Sequence, residues 1–239
     1  MAQKIVIASG KGGVGKSSLT AGLSFALRDL GKRVLAVDCD VGLRSLDLLF
    51  CVGDALVFDW GDLSDGRCNA EQALIEKGGV SLLAAPLREE AHTSQQMRDM
   101  LSLFDDAFDF ILIDAPAGVA EEFRLAASSA DRAIVVATAD EVCLRSACRA
   151  AESLRAEGIP DLRLVLNRFH ASAMEHSFLC NVDDSIDRVG VQLLGVVPED
   201  VHVTFCLPKG EPLPKKSPAK TAWSRIARRI CGENVPLKL

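Results

Sequence analysis

No stretch of this sequence approaches the ~18 to 20 uninterrupted apolar residues that a membrane-spanning helix needs, so a helical integral membrane protein is excluded. The N-terminus has one short apolar run at 5–8 before glycines intervene. That is not the shape of a secretory leader, and the expectation is a cytosolic chain. Close cysteine pairs are also missing. Of eight cysteines, no two stand as C-x-C or C-x-x-C, and the nearest, Cys143 and Cys148, lie five apart. Zinc ribbons and most iron–sulfur sites use tighter spacing, so the thiols read as reduced, partly buried small hydrophobes. His92, His170, His176 and His202 are equally scattered and suggest no metal cage. There is no internal repeat, low-complexity tract or interdomain linker.

The chain does have enough residues for a sizeable core. Its 239 residues are 49% hydrophobic and 25% charged, ordinary globular usage that excludes disordered and fibrous classes. The net charge of −6 is uneven. Residues 209–239 carry eight cationic side chains against Glu211 and Glu233, a net +6, which leaves −12 on residues 1–208. A basic tail on an acidic body can mark an anionic partner.

Short apolar runs, rich in β-branched residues, fall at 4–8, 33–37, 80–84, 108–113, 133–137, 162–166 and 192–197. Each has the length of a strand, and most are nearly continuously apolar, as strands covered on both faces are. Helical patterns lie between them at 16–30, 93–103, 121–129, 142–157, 183–189 and 217–231. This alternation predicts an α/β fold: one domain over 1–239, with a mostly parallel twisted sheet of about seven or eight strands and helices on both faces. Ligands of such sheets gather at the carboxyl ends of the strands.

Gly10, Lys11, Gly12, Gly13, Val14, Gly15, Lys16, Ser17 and Ser18 follow the first strand and satisfy G-x-x-x-x-G-K-[ST], the P-loop. Its glycines let backbone N–H groups turn inward around phosphate oxygens, and the next helix offers its positive end to the same anion. Lys16 supplies a point charge for the β- and γ-phosphates, and the Ser17 hydroxyl is a hard oxygen ligand for Mg²⁺. Gly10, Gly12 and Gly15 also fit the G-x-G-x-x-G of dinucleotide folds, with Asp38 placed 23 residues after Gly15. Lys16 and Ser17 separate the two readings, because a triphosphate with Mg²⁺ needs both and a dinucleotide needs neither. Asp114, at the tip of the strand at 108–113, and Asp38 are the expected metal-site carboxylates. Asp40 is expected to orient the attacking water.

Lys11 inside the loop is the unusual feature. The stretch GKGGVGKSS resembles the deviant Walker A of the MinD/ParA family of P-loop ATPases, whose signature is K-G-G-x-G-K-[ST]. Further blocks follow in order, among them DCDVGLRSLDLLFCVGD, FDFILIDAPAGV, ADRAIVVAT, LNR and LLGVVPED, and the similarity is nearest to the MinD members. The resemblance implies slow ATP hydrolysis with Mg²⁺ in an ATP-bound homodimer, where Lys11 reaches the partner's nucleotide as an arginine finger would. It also implies an adenine pocket from Asn167, Arg168, Pro198, Glu199 and Asp200, an Asn amide having both donor and acceptor for a base edge. The implied task is spatial positioning: of the division site, or alternatively of flagella, plasmids or chromosomes.

Three other classes are set beside it. A non-catalytic nucleotide-binding module need not keep Lys11, Lys16, Ser17, Asp40 and Asp114 together. A metallocluster carrier would need cysteines such as Cys143 or Cys148 on the dimer face. DNA transport would need a basic surface, and the acidic body disfavours it. The implied partners are regulators of MinC and MinE type, but this chain has Arg145-Ser146-Ala147-Cys148-Arg149 where MinD proteins carry R-D-x-D-R, and Ser45 where asparagine is usual. Membrane contact, at the inner face of the cell membrane, would need the short amphipathic helix that ends such chains. This sequence stops about where that helix would start. The segment 217–231 reads as the domain's last helix, apolar stripe on the sheet and arginines in water.

Overall fold

The computed structural model describes residues 1–88, 92–170 and 180–237. His176, Lys238 and Leu239, counted in the sequence reading, lie outside the described residues. The chain runs β1 (Gln3–Ala8), α1 (Lys16–Asp29), β2 (Val34–Asp38), α2 (Ser45–Leu49), α3 (Trp60–Ser64), α4 (Ala70–Ala73), β3 (Leu74–Lys77) and β4 (Val80–Leu83). It continues with α5 (Ser94–Ser102), β5 (Phe110–Asp114), α6 (Glu121–Ala127), β6 (Arg132–Ala137), α7 (Glu141–Ala156) and β7 (Asp161–Phe169). The last elements are α8 (Val182–Val189), β8 (Leu193–Pro198), α9 (Val201–Cys206) and α10 (Pro218–Ile230).

Eight strands form one sheet in the order β3-β4-β2-β5-β1-β6-β7-β8. All neighbours are parallel except β3 and β4, which pair antiparallel. The central strands β1, β2 and β5 are buried almost end to end, so helices cover both faces and the runs need no polar alternation. Each of the seven apolar runs becomes a strand, with ends shifted by at most three residues. The eighth strand, β3, escapes the pattern because LIEK is four residues of mixed polarity at the sheet edge. It joins β4 through Gly78 and Gly79, with φ of 57° and 76°, the left-handed pair that a tight two-residue hairpin demands. The helices α2, α3, α4 and α9 are also unmarked by periodicity, since four to six residues hold too few turns to show it.

Helix α10 lies between α1 and β8. Trp223, Ile226 and Ile230 form its buried stripe, as read from the sequence. Gly22 of α1 is what lets α10 approach: a Cβ there would sit 2.3 Å from indole Cδ2 of Trp223. Much of the cationic face of α10 is engaged within the chain. Arg229 donates to the carbonyls of Leu194, Val235 and Pro236, and Arg228 pairs with Glu233 at 2.6 Å. Among the described residues, no helix is long and apolar enough to cross a membrane.

Gly22→Ala tests this close packing. Alanine favours helix by ~1 kcal/mol, but forcing a methyl into the indole costs about 1–3 kcal/mol. Chemical denaturation should therefore show a lower midpoint for the variant, and an unchanged or higher one would mean that Trp223 is not held against α1.

Candidate active site

The P-loop leaves β1 at its buried end and is braced from two sides. Gly10 presses on α7, where a Cβ would fall 2.0 Å from the Ser146 carbonyl oxygen. Gly15, at φ 86°, faces Asn167 so closely that a Cβ would meet Nδ2 at 2.3 Å. Asn167 is buried at the end of β7 and donates to the Val14 carbonyl at 2.8 Å. Ser9 closes the loop's entry by donating to the Lys11 carbonyl at 3.0 Å. Gly15 is also the N-cap of α1 and brings no side-chain acceptor, so the first turn keeps N–H groups for an anion.

β2 and β5 bring their terminal carboxylates together, Asp38 opposite Asp114 in the parallel register. Both are fully buried. Asp114 Oδ1 accepts from Lys16 Nζ and from Thr20 Oγ1, each at 3.2 Å, while among the described residues Asp114 Oδ2 is buried with no hydrogen bond. Burial pushes the Asp114 carboxyl up, against the pull of Lys16, Ser17 and Thr20. Asp38 spends both oxygens on its own loop: Oδ1 accepts from the Asp40 amide at 2.9 Å and Oδ2 from the Leu46 amide at 2.8 Å. Burial first, and then the charge of Asp114, raise the Asp38 pKa to about 7. Two interior carboxyls stand beside one lysine, with one oxygen unused. Together with the Ser17 hydroxyl, that is an all-oxygen donor set suited to a small hard dication such as Mg²⁺.

An open groove of about 750 Å³ runs from the P-loop past Asp40, Leu43 and Ser45 to the strand ends of β7 and β8. Gly12, Gly13, Val14, Gly15, Lys16, Ser17 and Ser18 line one end. Asn167, Arg168, Pro198, Glu199 and Asp200 line the other, so phosphate and base readings of the sequence meet in one cleft. Arg168 stands in the left-handed region at φ 53°, pairs with Glu199 at 2.8 Å and donates to the Gly13 carbonyl at 3.3 Å. Asp200 faces its own fold: it caps α9 through the His202 amide and takes a hydrogen bond from Ser217, which caps α10. Lys11 is exposed. Asp140, the N-cap of α7, feels its charge. Burial raises that carboxyl, yet Thr138, the Cys143 amide and Lys11 hold it below the usual carboxylate range. Arg145 and Arg149 stand exposed, one turn apart, on the helix whose Ser146 touches Gly10.

Two supporting residues were not singled out from the sequence. Thr20 follows Lys16 by one helical turn on the same face, and that i,i+4 spacing was a usable signal. Trp60, whose indole donates to the Asp38 carbonyl at 2.9 Å, had none, being 22 residues away on a five-residue helix.

Comparison with known proteins agrees with this geometry. The family model for the CobQ/CobB/MinD/ParA nucleotide binding domain matches residues 5–213. The chain is 38% identical to the septum site-determining protein MinD of Bacillus subtilis, over 100% of its own length and 92% of that relative. A chain of the MinC:MinD cell division protein complex of Aquifex aeolicus superposes with a TM-score of 0.93 at 33% identity, covering 100% of this chain and 99% of that one. The Pyrococcus horikoshii septum site-determining protein MinD, complexed with Mg-ADP, superposes at 0.86 with 29% identity and 96% of both chains covered. The P-loop, the paired carboxylates at the strand ends and these likenesses place the chain in the CobQ/CobB/MinD/ParA nucleotide-binding family, among its MinD-type ATPases.

Proposed function

We propose that residues 1–239 form one ATPase domain that acts as a dimerisation switch in placing the division site, hydrolysing ATP to ADP and phosphate. The observation that carries this is the buried cluster of Lys16, Thr20 and Asp114 in register with Asp38, directly beneath a P-loop that opens into a groove long enough for a nucleotide. The family is one of ATPases, and a relative was solved with Mg-ADP.

The roles follow from position. The P-loop amides and the start of α1 hold the phosphates, and Lys16, now bonded to Asp114, turns its charge to the β- and γ-oxygens. Ser17 and Asp114, with Asp38 beside them, would hold the metal, and Asp38 orients the 38–46 loop through its two amide contacts. Bound there, Mg²⁺ would neutralise charge that develops on the phosphoryl oxygens. Asp40, on the groove wall and on the loop that Asp38 fixes, positions the attacking water. The base lies against Asn167, Arg168 and the 198–200 segment. Asn167 Nδ2 is committed to the P-loop, so its Oδ1 is the atom left to accept from an adenine amino group.

Lys11 is exposed and lies near Asp140, outside the lining of the nucleotide groove, which suits a residue that acts on a second subunit's nucleotide. Turnover then waits for an ATP-bound homodimer. A relative is assembled with MinC. For this chain a regulator of MinC or MinE type would meet the exposed face of α7, where Arg145 and Arg149 keep the basic ends of the usual motif and Ser146 and Cys148 stand in place of its two acids. A partner acidic at that contact is the reading. Contact with the inner membrane face would be peripheral. DNA binding has less to rest on, because Arg228 and Arg229 are engaged within the chain.

Lys11→Ala should bind ATP within about twofold of wild type, yet lose dimer-dependent turnover by roughly 10³-fold, the scale of a missing trans cation. Full turnover at concentrations that permit dimers would contradict the role. The buried acids give a pH test. An acid whose folded pKa is raised favours the folded state at low pH, and that contribution is withdrawn as pH climbs from 3.8 towards about 7. The ligand-free chain should thus lose up to about 1.4 kcal/mol of stability per pH unit across that window relative to Asp38→Asn. Parallel stability profiles for the two proteins would show that Asp38 is ionised throughout.

A further inference from the structure

Beside the nucleotide groove, and sharing Leu49 and Trp223 with it, lies a second cavity. α1, α2, α10, the β3–β4 turn and the 207–213 loop enclose about 380 Å³. Its walls are Phe25, Leu30, Phe50, Leu213 and Trp223, with the rings of Phe25 and Phe50 tilted at 5.1 Å between centroids. Well-packed interiors leave few voids larger than a water, whereas small-molecule sites begin at this volume and share this apolar, aromatic lining.

The charged side chains of the cavity are the ones that reach solvent. At the rim, Arg28 is already committed, paired with Asp29 at 2.6 Å and stacked over Phe25 at 5.2 Å. Lys77 and Lys220 line the same rim and have no ion-pair partner among the described residues. Glu211 is the one acid there without such a partner, so the uncommitted rim charge is cationic.

We propose that this cavity binds an amphiphilic monoanion: an apolar chain of about eight to ten carbons between Phe25, Phe50 and Trp223, with its anionic head at Lys77 and Lys220. Two rim contacts supply sign selectivity and the aromatic walls supply most of the affinity. A medium-chain carboxylate has this shape and charge. A neutral alcohol of equal length has the shape alone, and acetate the charge alone.

Calorimetry on the full chain, with sodium decanoate kept below its micelle concentration, tests this. Saturable one-to-one binding is expected, with acetate giving no heat. Lys77→Ala with Lys220→Ala should weaken decanoate about fivefold, the worth of two exposed ion pairs. Glu211→Gln should strengthen it, and decan-1-ol should bind no better than decanoate binds the double variant. Ser224→Phe, from an exposed position on the cavity wall, should remove decanoate binding while ATP binding stays intact. Absence of saturable heat, equal affinity in Ser224→Phe, or a double-lysine variant indistinguishable from wild type would each overturn the proposal.

Discussion

The hydrogen-bonded contact of Lys16 and Thr20 with Asp114 is the constraint on which the site depends. A carboxylate this deep survives only if it is paired, and removing one partner of a buried ion pair costs about 3–5 kcal/mol. The pairing is incomplete by design of the chain's own register, since β2 and β5 set Asp38 against Asp114 and only one lysine reaches them. Burial therefore favours the protonated form of these acids, and Asp114 keeps one carboxylate oxygen without a hydrogen bond among the described residues. The cleft is arranged for a cation, and the P-loop above it for an anion. Bound together, magnesium and a triphosphate satisfy both at once.

The same contact ties the chemistry to the fold. Lys16 and Thr20 belong to α1, Asp114 to β5, and Asp38 holds the 38–46 loop through two amides while Trp60 pins the Asp38 carbonyl. The P-loop is wedged at Gly10 against α7 and at Gly15 against Asn167. The phosphate loop is thus in direct contact with α7, the helix that presents Arg145 and Arg149. A switch that reports its nucleotide to a partner requires connections of this kind.

The sequence disclosed the central strands because they are buried on both faces and so are written as unbroken apolar runs. It disclosed the P-loop because glycine positions and the Lys16-Ser17 pair are fixed by the backbone geometry of phosphate binding. Asp38, Asp40 and Asp114 were legible as acids directly after such runs. What stayed hidden depends on contacts distant in the chain. β3 is too short and too polar to announce itself, Trp60 reaches Asp38 from a five-residue helix, and Asp200 proves to be joined to Ser217 of α10. That the two oxygens of Asp38 are held by amides, while Asp114 keeps one spare, is a matter of hydrogen-bond direction that no spacing encodes.

The account's central claim is that Asp114 couples magnesium to the nucleotide. Titration calorimetry of ATP with and without Mg²⁺, on the wild type and on Asp114→Asn, measures it directly. The wild type should gain roughly tenfold or more in ATP affinity from Mg²⁺, and the variant should lose that gain while keeping its fold. An undiminished magnesium effect in Asp114→Asn would contradict the account.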